Sequence, residues 1–427
     1  MNINLQFDIQ TESEWLKLWM KESGGKSPEE YFKQLDRQVF IKPYHLSETP
    51  LGGYASRQQP NTVVSEWVDL AHREDGAVNR AVLDALNSGA SGLYIHADRT
   101  PGWEVLFREV GLEYLSTTID IRSDFSEHYQ SLLAFLSLTR IENSSKKIFV
   151  CLPWFSDFDL ATRIISDVHT DFHSILIDLS EPLEAGVPPA LVLALAIEML
   201  NDLRRIKPQL LCRTGFLTIT TGNTFQDFVF NRCLRVMSRA WMKKAGTASE
   251  SVFIHTRTGR SDLTTSDVYT NLVRNSIKTL TALVSGADAV TVLPYNVLNG
   301  RYDPQAQRLA RNQALISIYE SKLDSCSDPI AGSYSFEDLS KQLIENALGY
   351  LHETFNFSNT SELIQSSYFA EHTEQYRQKL LEEYSRSDKI LVGVSKFKPE
   401  EEKPVRATIP FREDSPFEPL LFQNFFV

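Results

Sequence analysis

Cysteine is scarce and unpaired in this sequence. Its four cysteines, Cys151, Cys212, Cys233 and Cys326, lie far apart and form no CxxC, which excludes a disulfide framework or a zinc ribbon. Three sit in apolar or strand-like contexts, predicting buried thiols and a reducing compartment. Basic charge is also short. There are 43 Lys and Arg against 55 Asp and Glu, a net −12 with both signs mixed along the chain. A nucleic-acid binder would need a concentrated basic face, so nucleic acid is excluded as a partner, although a local patch for a phosphorylated ligand is not. No run approaches the roughly 18 uncharged apolar residues of a membrane span. The start, MNINLQFDIQTESEWLKLW, has neither the basic nor the apolar region of a signal peptide. The expectation is a soluble, cytoplasmic protein. GxGxxG, Walker A, GxSxG, HxH, HExxH and the EF-hand loop are all missing, and no metal site is expected.

What is present is core-forming material. The 427 residues are 42% hydrophobic, with 25 Phe, 15 Tyr and 6 Trp, enough for a sizeable interior. Residues 1–60 read as an extension. Thr11 and Ser13 precede an amphipathic helix, Glu14 to Lys21, carrying Trp15, Leu16 and Trp19, and Pro28 opens a second short one. So short a helix has little stability alone and must dock, either on the parent domain or on a partner subunit.

From about residue 60, apolar strands alternate with amphipathic helices. The strands read as Gly92–His96, Tyr114–Ile121, Lys147–Leu152, Ser174–Leu179, Leu210–Thr220, Ser251–His255 and Ala289–Leu293, with a weaker last one near 328–335. Eight such strands predict an α/β fold, a closed (β/α)8 TIM-type barrel with an N-terminal helical extension and C-terminal helices. A doubly wound open sheet is the alternative, and GLYIHADRTPG lacks its usual glycine pattern. The barrel with its trailing helices would span 61–398, and a charged tail, 399–427, would drape on the surface.

Barrel ligands meet the C-terminal ends of strands. His255 stands at such an end, followed by Thr256, Arg257, Thr258, Gly259, Arg260 and Ser261. The two arginines could clasp an anion, or pair with carboxylates while His255 is a hydrogen-bonded core residue. Downstream, Asp267, Asn271 and Arg274 share one helical face and read as a structural network. Other strand ends bring His96, Asp98, Asp120, Arg122, Asp178, Glu181 and Glu184 towards the same mouth. Thr221-Gly222-Asn223-Thr224 reads as a capping turn, then as an anion nest.

IHTRTGRSDLTTSDVYTNLVR, SGADAVTVLPYN, RLARNQALI, DPIAGSYSFEDL and LVGVSKF, in this order, resemble the methylmalonyl-CoA mutase family. SEWLKLW with a later IKPYH is similar to its small (beta) chains in particular. The resemblance implies a barrel and a place in an adenosylcobalamin-dependent isomerase. It also marks departures. The family's cobalamin-binding DxHxxG is absent, no histidine occurs between His173 and His255 where SGYHMQEAGA would supply one, and a TIRQYAGFSTA-like segment is represented only by SEWVDLAHRED. These imply a non-catalytic small subunit with no catalytic residues and no cofactor of its own. Its partner would be the large (alpha) subunit carrying adenosylcobalamin and interconverting methylmalonyl-CoA and succinyl-CoA in propionate metabolism. His255, Arg257, Thr258 and Arg260 would then be vestigial CoA or barrel-mouth residues. Trp15, Trp19 and the tail from Glu400 would be interface candidates. A stand-alone barrel enzyme or acyl-CoA-binding protein using His96, Asp120, Asp178 and His255 is the alternative.

Overall fold

Strands that are apolar on both faces need cover on both faces, and here they obtain it by closing into a barrel with helices outside. The computed structural model describes residues 11–43, 45, 50–51, 61–139, 147–167, 173–247, 252–300, 302–398, 406–407, 409 and 415–426. A two-stranded hairpin, β1 (Lys33–Asp36) and β2 (Val39–Ile41), precedes the barrel. The barrel strands are β3 (Val63–Asp69), β4 (Gly92–Ala97), β5 (Ser116–Ile121), β6 (Lys147–Cys151), β7 (Ser174–Asp178), β8 (Thr214–Thr220), β9 (Phe253–Thr258) and β10 (Ala289–Thr291). They pair in parallel in chain order, and β10 closes on β3.

The predicted barrel is therefore present, with one strand reassigned. The stretch 328–335 is a turn that delivers Ser333 as N-cap of the helix Tyr334–Thr354. Asp328-Pro329 and Gly332, at φ +77°, are turn chemistry rather than strand chemistry. The missing strand is β3, which runs from Val63 into SEWVDLAHRED and is disguised by Ser65 and Glu66. Both are buried, and Glu66 is matched by Arg311 of the helix Pro304–Leu315 at 2.9 Å. The strand expected from Leu210 begins only at Thr214, after a 3-10 turn over Pro208–Arg213.

The helix Pro189–Ile206 is buried on nearly every side, because the helix Tyr334–Thr354 lies over its outer face. Buried arginines join the layers. Arg232, on the helix Thr224–Ala245, pairs with Glu337 and Asp328. Arg235 donates to Val252 O, Gly286 O and Asp288 at the N-terminal end of the barrel, so Asp288 is a bottom-of-barrel ion pair, as its position before β10 predicts. Cys151 and Cys233 are buried, whereas Cys212 and Cys326 are exposed, so two thiols rather than three are internal. His169 lies outside the described residues.

The helix Glu12–Glu22 carries a full capping box, with Thr11 and Glu14 bonding reciprocally. Trp19 turns back on the chain, with its ring 5.3 Å from Tyr31 and its Nε1 donating to Lys26 O. Leu18 and Met20 remain 53% and 43% exposed, so much of the apolar face of this helix is uncovered. The hairpin, by contrast, docks on the helix Tyr334–Thr354, where Phe40 N donates to Gln342 Oε1.

Much of the tail stretch from Glu400 lies outside the described residues, but what is described does not drape on the surface. Ala407 and Ile409 are buried with Leu421, against Leu298. Phe417, Leu420 and Phe422 are buried as well. Their side chains are apolar and find apolar cover in Phe155, Phe369, Tyr384, Leu391 and Val394, which outweighs the charge of the intervening sequence.

Candidate functional site at the C-terminal mouth of the barrel

Alternation along β9 sends His255 and Arg257 inward and Thr256 and Thr258 outward. Thr256 meets Thr218 and Asn231, and Thr258 Oγ1 accepts from Leu293 N. Inside the barrel, His255 lies between two hydroxyls, Nδ1 at 2.8 Å from Thr118 Oγ1 and Nε2 at 2.9 Å from Thr291 Oγ1. The Tyr94 ring sits edge-on at 5.5 Å. Burial, with Arg257 nearby, pushes its pKa down to about 3. A neutral imidazole donates through one nitrogen and accepts through the other. His255 is thus fully bonded and has no proton to exchange near neutral pH.

Arg257 forms a two-pronged bond with Glu184, Nη1 and Nη2 each 3.0 Å from a carboxylate oxygen. Arg260 meets the same carboxylate through its backbone N at 3.1 Å and its Nε at 3.0 Å. Burial opposes ionisation of Glu184, but the two guanidinium groups outweigh it and hold its carboxyl well below the usual carboxylate range. Both arginines are buried and turned to an internal acid. Of the two readings open for them, the geometry has carboxylate pairing, not an anion clasp.

A second buried cluster adjoins the first. Arg122 Nε donates to Asp120 at 2.7 Å and Nη1 to Glu181 at 2.9 Å, with Asp178 at 3.5 Å. Tyr94 donates its hydroxyl to Asp120 at 2.8 Å. Donor atoms of Asp120, Cys151 and Asp178 come within 4.8 Å of one another, a spacing that could suit an ion. Arg122 already supplies positive charge to both carboxylates. His96, its ring tilted 34° to that of Trp67 at 4.9 Å, has Nδ1 3.5 Å from Asp69.

The chain's own tail lies across this mouth. Leu420 N donates to Glu184 O and Phe422 N to Ser261 O, both at 2.8 Å. Gln423 accepts from Thr265 N at 2.9 Å, and Ser415 donates to Glu181 at 2.7 Å. Phe417 packs edge-on to Phe155 at 4.9 Å.

The loop after β9 is fixed from the following helix, Thr270–Val284. Asn271 donates to Thr264 O and Tyr295 O and accepts from Thr264 N. Arg274 donates to Thr264, Thr270, Asn271 and Val392 O. Asp267, at φ +46°, enters this web through its carbonyl, which accepts from Thr270. Its side chain packs near Gly393. The nest at Thr221-Gly222 is filled by Asp227, which accepts from both backbone N–H groups and the Thr221 hydroxyl.

Sequence reasoning missed Thr118, Thr291 and Tyr94, which fix His255, and Gln423, which pins the tail. The two threonines were recoverable from strand parity, since Thr118 lies two residues before Asp120 on β5 and Thr291 pairs with Arg257 in register. Gln423 had no local signal.

The family model of methylmalonyl-CoA mutase matches residues 190–413, just over half of the chain. The chain belongs to the methylmalonyl-CoA mutase family. Relatives include a methylmalonyl-CoA mutase small subunit of Porphyromonas gingivalis, 38% identical over 93 residues, 22% of this chain and 15% of the relative. The small subunit of Streptomyces virginiae is 30% identical over 200 residues, 46% of this chain and 32% of the relative. A methylmalonyl-CoA mutase of Rhizobium meliloti is 26% identical over 196 residues, 45% and 28% of the two chains. The matched segments thus span a third or less of these relatives. Among the described residues, no helix is long and apolar enough to cross a membrane.

Proposed function

We propose that this chain is a non-catalytic small subunit of a heterodimeric methylmalonyl-CoA mutase. It stabilises a large subunit that interconverts methylmalonyl-CoA and succinyl-CoA with adenosylcobalamin. The reading is carried by the barrel mouth. Its two arginines are consumed by Glu184, its axial histidine is bonded at both nitrogens, and residues 415–423 cover the charged loops. A mouth meant to receive a charged thioester would keep cationic donors facing solvent. The same features favour placing the cofactor in the partner. A corrin needs a broad open face, and His96 and His255 at this mouth are directed at Asp69 and at internal threonines. Small-subunit names among the relatives agree.

Assembly draws support from the other end of the chain. An isolated helix of 11 residues is marginal in water, yet Glu12–Glu22 leaves Leu18 and Met20 open beside the paired rings of Trp15 and Trp19, 5.2 Å apart. Aromatic residues on such an arm supply binding energy when a partner buries them.

Co-expression with a mutase large chain tests the proposal. A stable one-to-one complex should form, and Trp15→Ala with Trp19→Ala should weaken it without lowering the melting temperature of the isolated chain. A large chain equally stable and active alone refutes the subunit reading. Sustained succinyl-CoA formation by this chain with a separate cobalamin domain refutes the non-catalytic part.

A further inference from the structure

A cavity of about 720 Å³ lies beside the mouth, between the loops that follow β7, β8 and β9 and the helix Ser367–Ser385. Its volume is in the range of small-molecule sites, which are mostly apolar with a few converging polar groups. Leu183, Val187, Leu380 and Leu391 supply apolar wall. Two carboxylates reach it, and both are neutralised, Glu184 by Arg257 and Arg260 and Asp262 by Lys278.

The remaining polar lining includes hydroxyl and amide side chains, the amines of Lys33 and Lys389, and two further donors, Arg274 and Tyr384. Arg274 lines the cavity, and its bonds run from Nη1 and Nη2 to hydroxyl and carbonyl oxygens only. The Asp262 and Asp267 carboxylates lie near enough to favour its charge, and among the described residues its Nε–H donates to none. Tyr384 is 9% exposed and its ring packs 4.7 Å from Phe422. Its hydroxyl, held protonated because burial raises its pKa, bonds to no described residue. A nearly buried phenol and a guanidinium with spare donors facing one apolar cavity match a single oxyanion on an apolar body.

We propose that this side cavity binds an apolar carboxylate, its oxygens held by Arg274 and Tyr384 and its hydrocarbon on the leucine and valine walls. The site is separate from the barrel axis and does not depend on the subunit reading. The carboxylate could belong to a free fatty acid or to the C-terminus of an apolar peptide, and the test separates the two.

Calorimetry on the full chain would compare decanoate, decanol and propionate, and a trileucine peptide with a free or an amidated C-terminus. Decanoate or the free-acid peptide should bind saturably at one site, and whichever binds more tightly names the source. Decanol, propionate and the amide should each bind at least about tenfold more weakly. Tyr384→Phe removes one oxygen and should weaken binding about tenfold with the melting temperature unchanged. Val273→Asp, at a rim position 64% exposed, should abolish binding through like-charge repulsion without disturbing the fold. No saturable binding by either carboxylate, equal affinity for decanol and decanoate, or an unaffected Tyr384→Phe would each overturn the proposal.

Discussion

Glu184 is the residue on which the mouth depends, since it accepts from two buried guanidinium groups and a backbone N–H. Removing one partner of a buried ion pair strands the others, at a cost of roughly 3–5 kcal/mol. Glu184→Gln keeps the shape and loses the charge, so urea denaturation should show a loss of that order. Two groups at the mouth respond to acid. The folded pKa of His255, about 3, lies below its ordinary 6.5. Its contribution is therefore complete above about 6.5 and drains away as pH falls towards 3. Glu184, also depressed, contributes above its ordinary 4.5 and loses its contribution only in stronger acid. The contribution of His255 should thus begin to fall below about pH 6.5, together with that of buried His173, whose pKa burial lowers to about 4, while Asp227, raised by burial to about 7, works in the opposite sense. His255→Asn should flatten the segment between 6.5 and 4.5 in a plot of urea midpoint against pH. An unchanged slope would show that His255 is not the buried neutral group described.

The strand–loop–helix unit around β9 is held by side chains reaching back from the helix Thr270–Val284. Asn271 ties the loop to the helix and also bonds Tyr295 O beyond β10. Asn271→Ala leaves these buried groups unpaired and should cost roughly 1–3 kcal/mol, read as a lower melting temperature. Arg274→Ala should fall in the same range, since it loosens Thr264 and frees the segment at Val392. Apart from the bond to Val392 O, these bonds join pieces adjacent in the βαβ unit, so the effects belong to the element.

At the scale of the whole molecule, the tail joins distant parts. Residues 415–423 bond loops after β7 and β9 and bury Phe417, Leu420 and Phe422. Deleting residues 415–427 removes these side chains, each worth about 1.5–3 kcal/mol when fully buried, and uncovers their partners Phe155, Tyr384 and Leu391. The truncated chain should melt several degrees lower and bind a hydrophobic dye while keeping the far-ultraviolet dichroism of the barrel. Unchanged melting would mean that the tail contributes no stability.

The sequence by itself determined the βα alternation, seven of the eight barrel strands and the loop that forms the mouth, because these rest on local periodicity and turn chemistry. It also carried the family motifs. Only the tertiary structure decided that β3 closes the ring, since buried Glu66 reads as polar until Arg311, 245 residues away, stands opposite it. The fate of Arg257 and Arg260 was open for the same reason. An arginine near a strand end is equally suited to a ligand or a carboxylate, and the choice lay with Glu184, 73 residues from Arg257. The tail looked like surface because its charges are local, while the apolar cover of its side chains comes from Phe155 and Phe369 for Phe417 and from Tyr384, Leu391 and Val394 for Leu420 and Phe422, brought together only by the fold.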